Sequence, residues 1–373
     1  MLRSLALLAS ALALARVPVD ARFCVDEPHL ITMHNSSGTG TNTSSLPVVF
    51  FHGAGLNASS AYNFEKNLTD EGRTFVALSF CEDDCTADSI LHQVKLAITQ
   101  LHGIVDNDAR FNDGYIFIAH SLGGAISRGV IEDMDDHKVR KYVSLAGVQN
   151  GVFFGPQPRD AGPTELFVTA LGPSFIPQSL MNFSAYSAED LRGKMQSDLG
   201  TKVAARADLQ DTLSAVNLPR SPIFEQWVNT STFFPMYNNL NVCMIGDKEC
   251  QADQLRRKAN FLKLRSAHFF ASPSDGFIAP WQSSILGEYS EVATVAEIKT
   301  NFEEFVVLPV TKTREYKSDS YGLRTLDKRG GLALHAVDNV PHECWIGDIE
   351  GDTAANSCDF DQVYDQHIYP LLK

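Results

Sequence analysis

Tyr115-Ile116-Phe117-Ile118-Ala119-His120-Ser121-Leu122-Gly123-Gly124 decides how this chain is read. The first five residues form an apolar run with the character of a buried strand, and the stretch that follows, to about residue 133, looks helical. A serine between such a strand and such a helix sits on a tight, strained turn at the crest of a sheet. Side chains two positions before and after it would collide with neighbouring backbone, so small residues are required there. The chain supplies Ala119 and Gly123, with Gly124 following. Alanine replaces the glycine of the G-x-S-x-G pattern at its first position, and it is the next smallest choice. Ser121 is therefore the candidate nucleophile.

Working outward, Leu46-Pro47-Val48-Val49-Phe50-Phe51 is a second apolar run, and it ends in His52-Gly53-Ala54-Gly55. In acyl transfer an oxyanion develops that preorganised backbone N–H groups can stabilise. The expected donors are Leu122, just after the nucleophile, and Ala54 in the glycine loop. Residues 74–80 form another strand-like run. Apolar residues recur at helical spacing over 88–105, with Asp88 as the expected cap. A further strand is expected at 141–147. The rhythm breaks from about 156 to 256, read as a mainly helical inserted lobe whose Phe224, Trp227, Phe233, Phe234, Met236 and Tyr237 could line an apolar groove. It resumes at 260–270 and 332–337, and a last helix is expected within 359–372. Apolar strands alternating with helices indicate a mostly parallel sheet covered on both faces, the α/β-hydrolase fold.

The serine needs a base and the base a carboxylate, which in this fold follow in the order Ser, Asp or Glu, His. Asp275, in Ser272-Pro273-Ser274-Asp275-Gly276, and His342, in Val340-Pro341-His342-Glu343-Cys344, stand in that order. The rivals are His335, inside an apolar run and read as packed, and Asp338, too near the histidine in sequence. His120 and His268 read as structural. The spacing suggests no metal site and no cofactor.

The N-terminus has the layout of a signal peptide over residues 1–21, with Arg3, an apolar run from 5 to 15, and small-residue cleavage sites. Residues 22–45 read as a polar, glycosylated arm, ahead of a hydrolase domain over 46–373. Sequons stand at Asn35, Asn42, Asn57, Asn67, Asn182 and Asn229. Six of the 7 cysteines form three close pairs, Cys81 with Cys85, Cys243 with Cys250 and Cys344 with Cys358, which suits an oxidising compartment; Cys24 is left over. The 373 residues carry a formal charge of −14, which disfavours nucleic acid and anionic membranes as partners. No run is long enough for a transmembrane segment, and a monomer of the secretory pathway, lysosomal or extracellular, is expected.

Four stretches give the chain a family likeness. They are residues 46–53, residues 143–153, the Pro235-Met236-Tyr237-Asn238-Asn239 region of the lobe, and Ser274-Asp275-Gly276-Phe277-Ile278-Ala279-Pro280-Trp281 with Tyr321-Gly322-Leu323-Arg324-Thr325-Leu326-Asp327. Through them the chain resembles the palmitoyl-protein thioesterases, lysosomal lipid-removing α/β-hydrolases. The resemblance implies a triad of Ser121, Asp275 and His342 and, as substrate, lipidated proteins or related long-chain acyl thioesters. Leu122 departs from the glutamine of the animal lysosomal enzymes, and residues 344–358 look like an extra loop. The rival reading is a secreted lipase or carboxylesterase acting on oxygen esters.

Overall fold

A computed structural model describes residues 45–351 and 357–373. The described residues form eight strands: β1 (Val48–Phe51), β2 (Phe75–Ala77), β3 (Tyr115–His120), β4 (Val139–Leu145), β5 (Ser266–Ala271), β6 (Glu288–Tyr289), β7 (Val307–Leu308) and β8 (Leu332–Ala336). Six of them make one parallel sheet in the order β2-β1-β3-β4-β5-β8, while β6 and β7 pair as a separate antiparallel ribbon. This is the α/β-hydrolase fold.

Side chains alternate between the two faces of a strand, and each face here has its own core. Val49, Phe51, Phe117, Ala119 and Tyr142 pack against α2 (Ile90–Val105), α3 (Leu122–Asp133) and α4 (Lys248–Phe261). Val48, Phe50, Ile116, Ile118, Val143 and Leu145 pack against α1 (Tyr62–Asp70) and the C-terminal helical stretch of residues 360–372. Burial on both faces explains why β1 and β3 read as unbroken apolar runs.

The structure differs from the sequence reading in several places. Ser89 caps α2, its side chain accepting from the His92 N–H, and Asp88 lies one residue outside. Residues 260–261 close α4, and β5 starts only at Ser266. Between β4 and β5 the chain breaks into short helices such as Ala161–Leu166, Lys194–Asp198 and Phe224–Thr230. Phe154, Phe167, Phe183, Met195, Leu199 and Val203 form a separate small core there. Phe233, Phe234 and Tyr237 are buried in the main core beside α2 and α3, whereas Trp227, though buried, lines a small pocket with Phe224, Phe153 and Arg220.

Candidate active site

Ser121 joins β3 to α3 with φ 55° and ψ −125°, a backbone region that costs a non-glycine residue about 1–3 kcal/mol. Its surroundings hold it there. Its N–H donates to the Leu145 carbonyl at 3.2 Å, and its own carbonyl accepts from Gly124 at 2.9 Å and Val148 at 3.1 Å. A side chain at Gly123 would come within 2.5 Å of the Phe51 and His52 carbonyl oxygens. A Cβ at Gly53 would lie 2.9 Å from Ser121 Cβ, so the glycine loop lies directly against Ser121.

Asp275 leaves β5 in a turn that uses both carboxylate oxygens. Oδ1 accepts from the N–H groups of Phe277 at 2.8 Å and Ile278 at 2.9 Å, and Oδ2 accepts from His342 Nδ1 at 2.8 Å. Ser272 Oγ accepts from Ser274 N–H at 3.0 Å and Val340 N–H at 3.2 Å, which ties the aspartate loop to the histidine loop. The His342 ring stacks on Phe277 with centroids 4.7 Å apart. Burial disfavours the charged imidazole, but the Asp275 carboxylate outweighs it and holds the His342 pKa above its ordinary value. With Nδ1–H given to Asp275, Nε2 keeps its lone pair. Among the described residues Ser121 Oγ is joined to neither by a hydrogen bond. The side chain next to it, His120, contacts His342, and a Cβ at Gly53 would meet both Ser121 and His120.

The other histidines differ. His335 stacks on Phe270 at 4.1 Å, and its Nε2 lies 3.3 Å from His268 Nδ1, with no carboxylate partner among the described residues. Asp338 is exposed. His120 has a contact the sequence did not suggest: its Nε2–H donates to the His342 carbonyl at 2.9 Å, and the two rings lie 4.8 Å apart. Burial, then the neighbouring His342 charge, push the His120 pKa down to about 3, so it is neutral and serves as a fixed donor.

The loop bearing Ala54 is pinned at several points. The Gly53 carbonyl accepts from His52 Nδ1–H at 3.1 Å and from Leu56 N–H at 3.3 Å, closing a turn that needs Gly55 at φ 66°. Burial lowers the His52 pKa, so the neutral ring donates. In a trans peptide the N–H points opposite the carbonyl, so the Ala54 N–H faces out of this turn. Leu122 opens α3, where the first N–H groups have no intrahelical acceptor.

Disulfides join Cys81 to Cys85, Cys243 to Cys250 and Cys344 to Cys358. The last bridge starts two residues beyond His342. Asn182 and Asn229 are exposed. Asn57 Nδ2 donates to Asp83 and Asn67 Nδ2 to Asp361. Asn35, Asn42, Cys24, the signal-peptide region and the arm up to residue 44 lie outside the described residues. His102, Asp106 and Asp136 offer ligand atoms within 4.8 Å of one another, but this surface trio at the end of α2 includes none of the site residues. Among the described residues no helix is long and apolar enough to cross a membrane.

The sequence profile of the family described as palmitoyl protein thioesterase matches residues 47–342. The lysosomal thioesterase PPT2-B of Xenopus laevis is 29% identical over 62% of this chain and 64% of its own length, so the match leaves about a third of that relative uncovered. The lysosomal thioesterase PPT2 of Homo sapiens is 25% identical over 80% of this chain and 82% of its own. Among solved structures, a monoacylglycerol lipase from Paleococcus ferrophilus aligns over 80% of this chain and 86% of that one, with a TM-score of 0.36 and 14% identity.

Proposed function

This chain belongs to the palmitoyl protein thioesterase family, and we propose that it hydrolyses long-chain acyl thioesters, such as palmitoylated cysteines of proteins, through Ser121, His342 and Asp275. The observation that carries the reading is the buried His342–Asp275 hydrogen bond of 2.8 Å beside the strained Ser121 turn.

In this mechanism His342 Nε2 takes the Ser121 Oγ proton as the oxygen attacks the thioester carbonyl. The N–H groups of Ala54 and Leu122 hold the resulting oxyanion. Collapse expels the cysteine thiolate, which takes the proton from His342, and leaves an acyl ester on Ser121. Water, deprotonated by His342, then attacks the ester, and His342 returns that proton to Ser121 Oγ as the fatty acid leaves. Asp275 keeps the imidazole in the Nδ1–H tautomer and stabilises its cation. A lysosomal or other secretory-pathway location fits the three disulfides and the lysosomal relatives.

The test is a matched pair of palmitoyl substrates, one a thioester and one an oxygen ester, together with a chain-length series. Each buried methylene contributes about 0.8 kcal/mol, so kcat/KM is expected to climb steeply with acyl length and to favour the thioester. A flat profile, or a preference for short oxygen esters, points to the carboxylesterase reading instead.

A further inference from the structure

One buried residue connects the glycine loop to two other parts of the molecule. Thr86 lies just beyond the Cys81–Cys85 bridge and is 2% exposed. Its hydroxyl uses both of its hydrogen-bonding roles. Oγ1 accepts from the Gly55 N–H at 2.8 Å and donates to the Asp83 carbonyl at 2.6 Å. Its own carbonyl accepts from Gln93 Nε2 on α2 at 3.0 Å and from Ser214 Oγ at 2.9 Å, and Ser214 belongs to the segment between β4 and β5.

The ties along this loop are unequal. At its far end Asp83 N–H donates to the Leu56 carbonyl at 3.1 Å, and Ala58 N–H to Glu82 Oε1 at 2.8 Å. Close to Ala54, the Leu56-to-Gly53 bond is 3.3 Å, while the bond to Thr86 is 2.8 Å. Without the hydroxyl, the Gly55 N–H loses its acceptor. The turn that aims the Ala54 N–H then rests on its longest bond and on His52. An oxyanion donor acts through its position, so a small rotation weakens it without touching the substrate.

We propose that Thr86 is a positioning residue: it fixes the Gly53–Gly55 turn so that the Ala54 N–H meets the oxyanion, and through Ser214 it ties that turn to the segment between β4 and β5. The inference rests on the reading of Ala54 as an oxyanion donor in Ser121 chemistry. It adds a residue outside the triad that sets kcat with little effect on KM.

The experiment measures hydrolysis of a palmitoyl thioester, normalised to active sites titrated with a fluorophosphonate, for the full chain and three variants. Thr86→Val keeps the shape and removes the hydroxyl. It is expected to lower kcat about 10- to 100-fold, less than the ~10²–10³ lost with a whole oxyanion donor, and to leave KM within about twofold. Thr86→Ser is expected to restore kcat to within about threefold, since the Oγ acceptor returns. A merely structural role predicts fewer titratable sites with unchanged kcat per site, and that result overturns the proposal. If Thr86→Val does not fold, Ser214→Ala decides. A drop in kcat of a few fold at constant KM, on the scale of one coupled contact, supports the proposal, and unchanged kcat refutes it. A wild-type protein with no Ser121-dependent turnover would instead sink the underlying reading, which keeps the two failures apart.

Discussion

The sheet edge around Ser121 and the segment between β4 and β5 reach order by different routes. At the sheet edge a few residues carry the geometry: a serine at positive φ, two glycines that admit neighbouring backbone, and loops cross-tied by Ser272, His120 and Thr86. Their positions are over-determined by hydrogen bonds. Residues 154–203, between β4 and β5, are short helices around an aromatic core of Phe154, Phe167 and Phe183, whose rings pack directly on one another. Single substitutions should therefore change rate at the edge and stability in the segment. The edge is expected to do its chemistry at fixed positions, and the segment to tolerate varied contents so long as its core stays filled.

The sharpest test of this contrast is Ser121→Ala. It is expected to leave the fold intact, with an unchanged circular dichroism spectrum and melting profile, while turnover falls about a million-fold. A folded variant with near-normal turnover breaks the contrast at once. Asp275→Asn comes next, with an expected loss of about 10⁴-fold in kcat from the wrong tautomer. It also has a pH signature. The base must be neutral, so kcat/KM should rise with pH through the His342 pKa. In the native protein that pKa lies above 6.5, because the Asp275 carboxylate outweighs burial. In Asp275→Asn burial is opposed only by the weaker charge of Glu343, and the midpoint of the rising limb should move to lower pH. A limb that stays in place removes Asp275 from its orienting role.

In the segment, Phe167→Ala should lower stability by about 3 kcal/mol, read from denaturant midpoints, and spare kcat on short acyl substrates. A large kcat loss on short substrates would show that the segment is rigidly coupled to the edge. The smallest effect is expected from replacing Cys243 and Cys250 with serine. That loop carries the exposed Val242, Met244 and Ile245. Closing so short a loop contributes at most about 2.5 kcal/mol in chain-entropy terms, and turnover should not change.

The contrast also explains what could be read from the residues. Strands β1 and β3 were legible because burial on both faces demands unbroken apolar runs. The Ser121 turn was legible because only small residues fit beside it. The order of Asp275 and His342 came from topology, and their pairing needed a loop contact 67 residues apart in sequence. The β6–β7 ribbon, two residues to a strand, leaves no periodic trace. The start of β5 was misjudged because Asn260 and Phe261 bury like strand residues while still closing a helix. The lobe aromatics read as a groove because hydrophobicity does not say which partner it faces, and Phe233, Phe234 and Tyr237 face the main core. The partner of His120, which reads as structural, and the role of Thr86 are not legible because each acts through backbone atoms of distant residues, the His342 carbonyl and the Gly55 N–H. Adjacency to Ser121 was the one available signal for His120, and Thr86 carried none.

The central claim is that Ser121 carries the acyl group during hydrolysis of a long-chain thioester. The direct measurement is rapid acid quenching of the enzyme during turnover of a palmitoyl thioester, followed by peptide mapping by mass spectrometry. One palmitoyl ester is expected on the peptide containing Ser121, formed and consumed at rates that match kcat, with no adduct in Ser121→Ala. Sustained thioester turnover with the palmitoyl group on another residue, or undiminished turnover by Ser121→Ala, would contradict it.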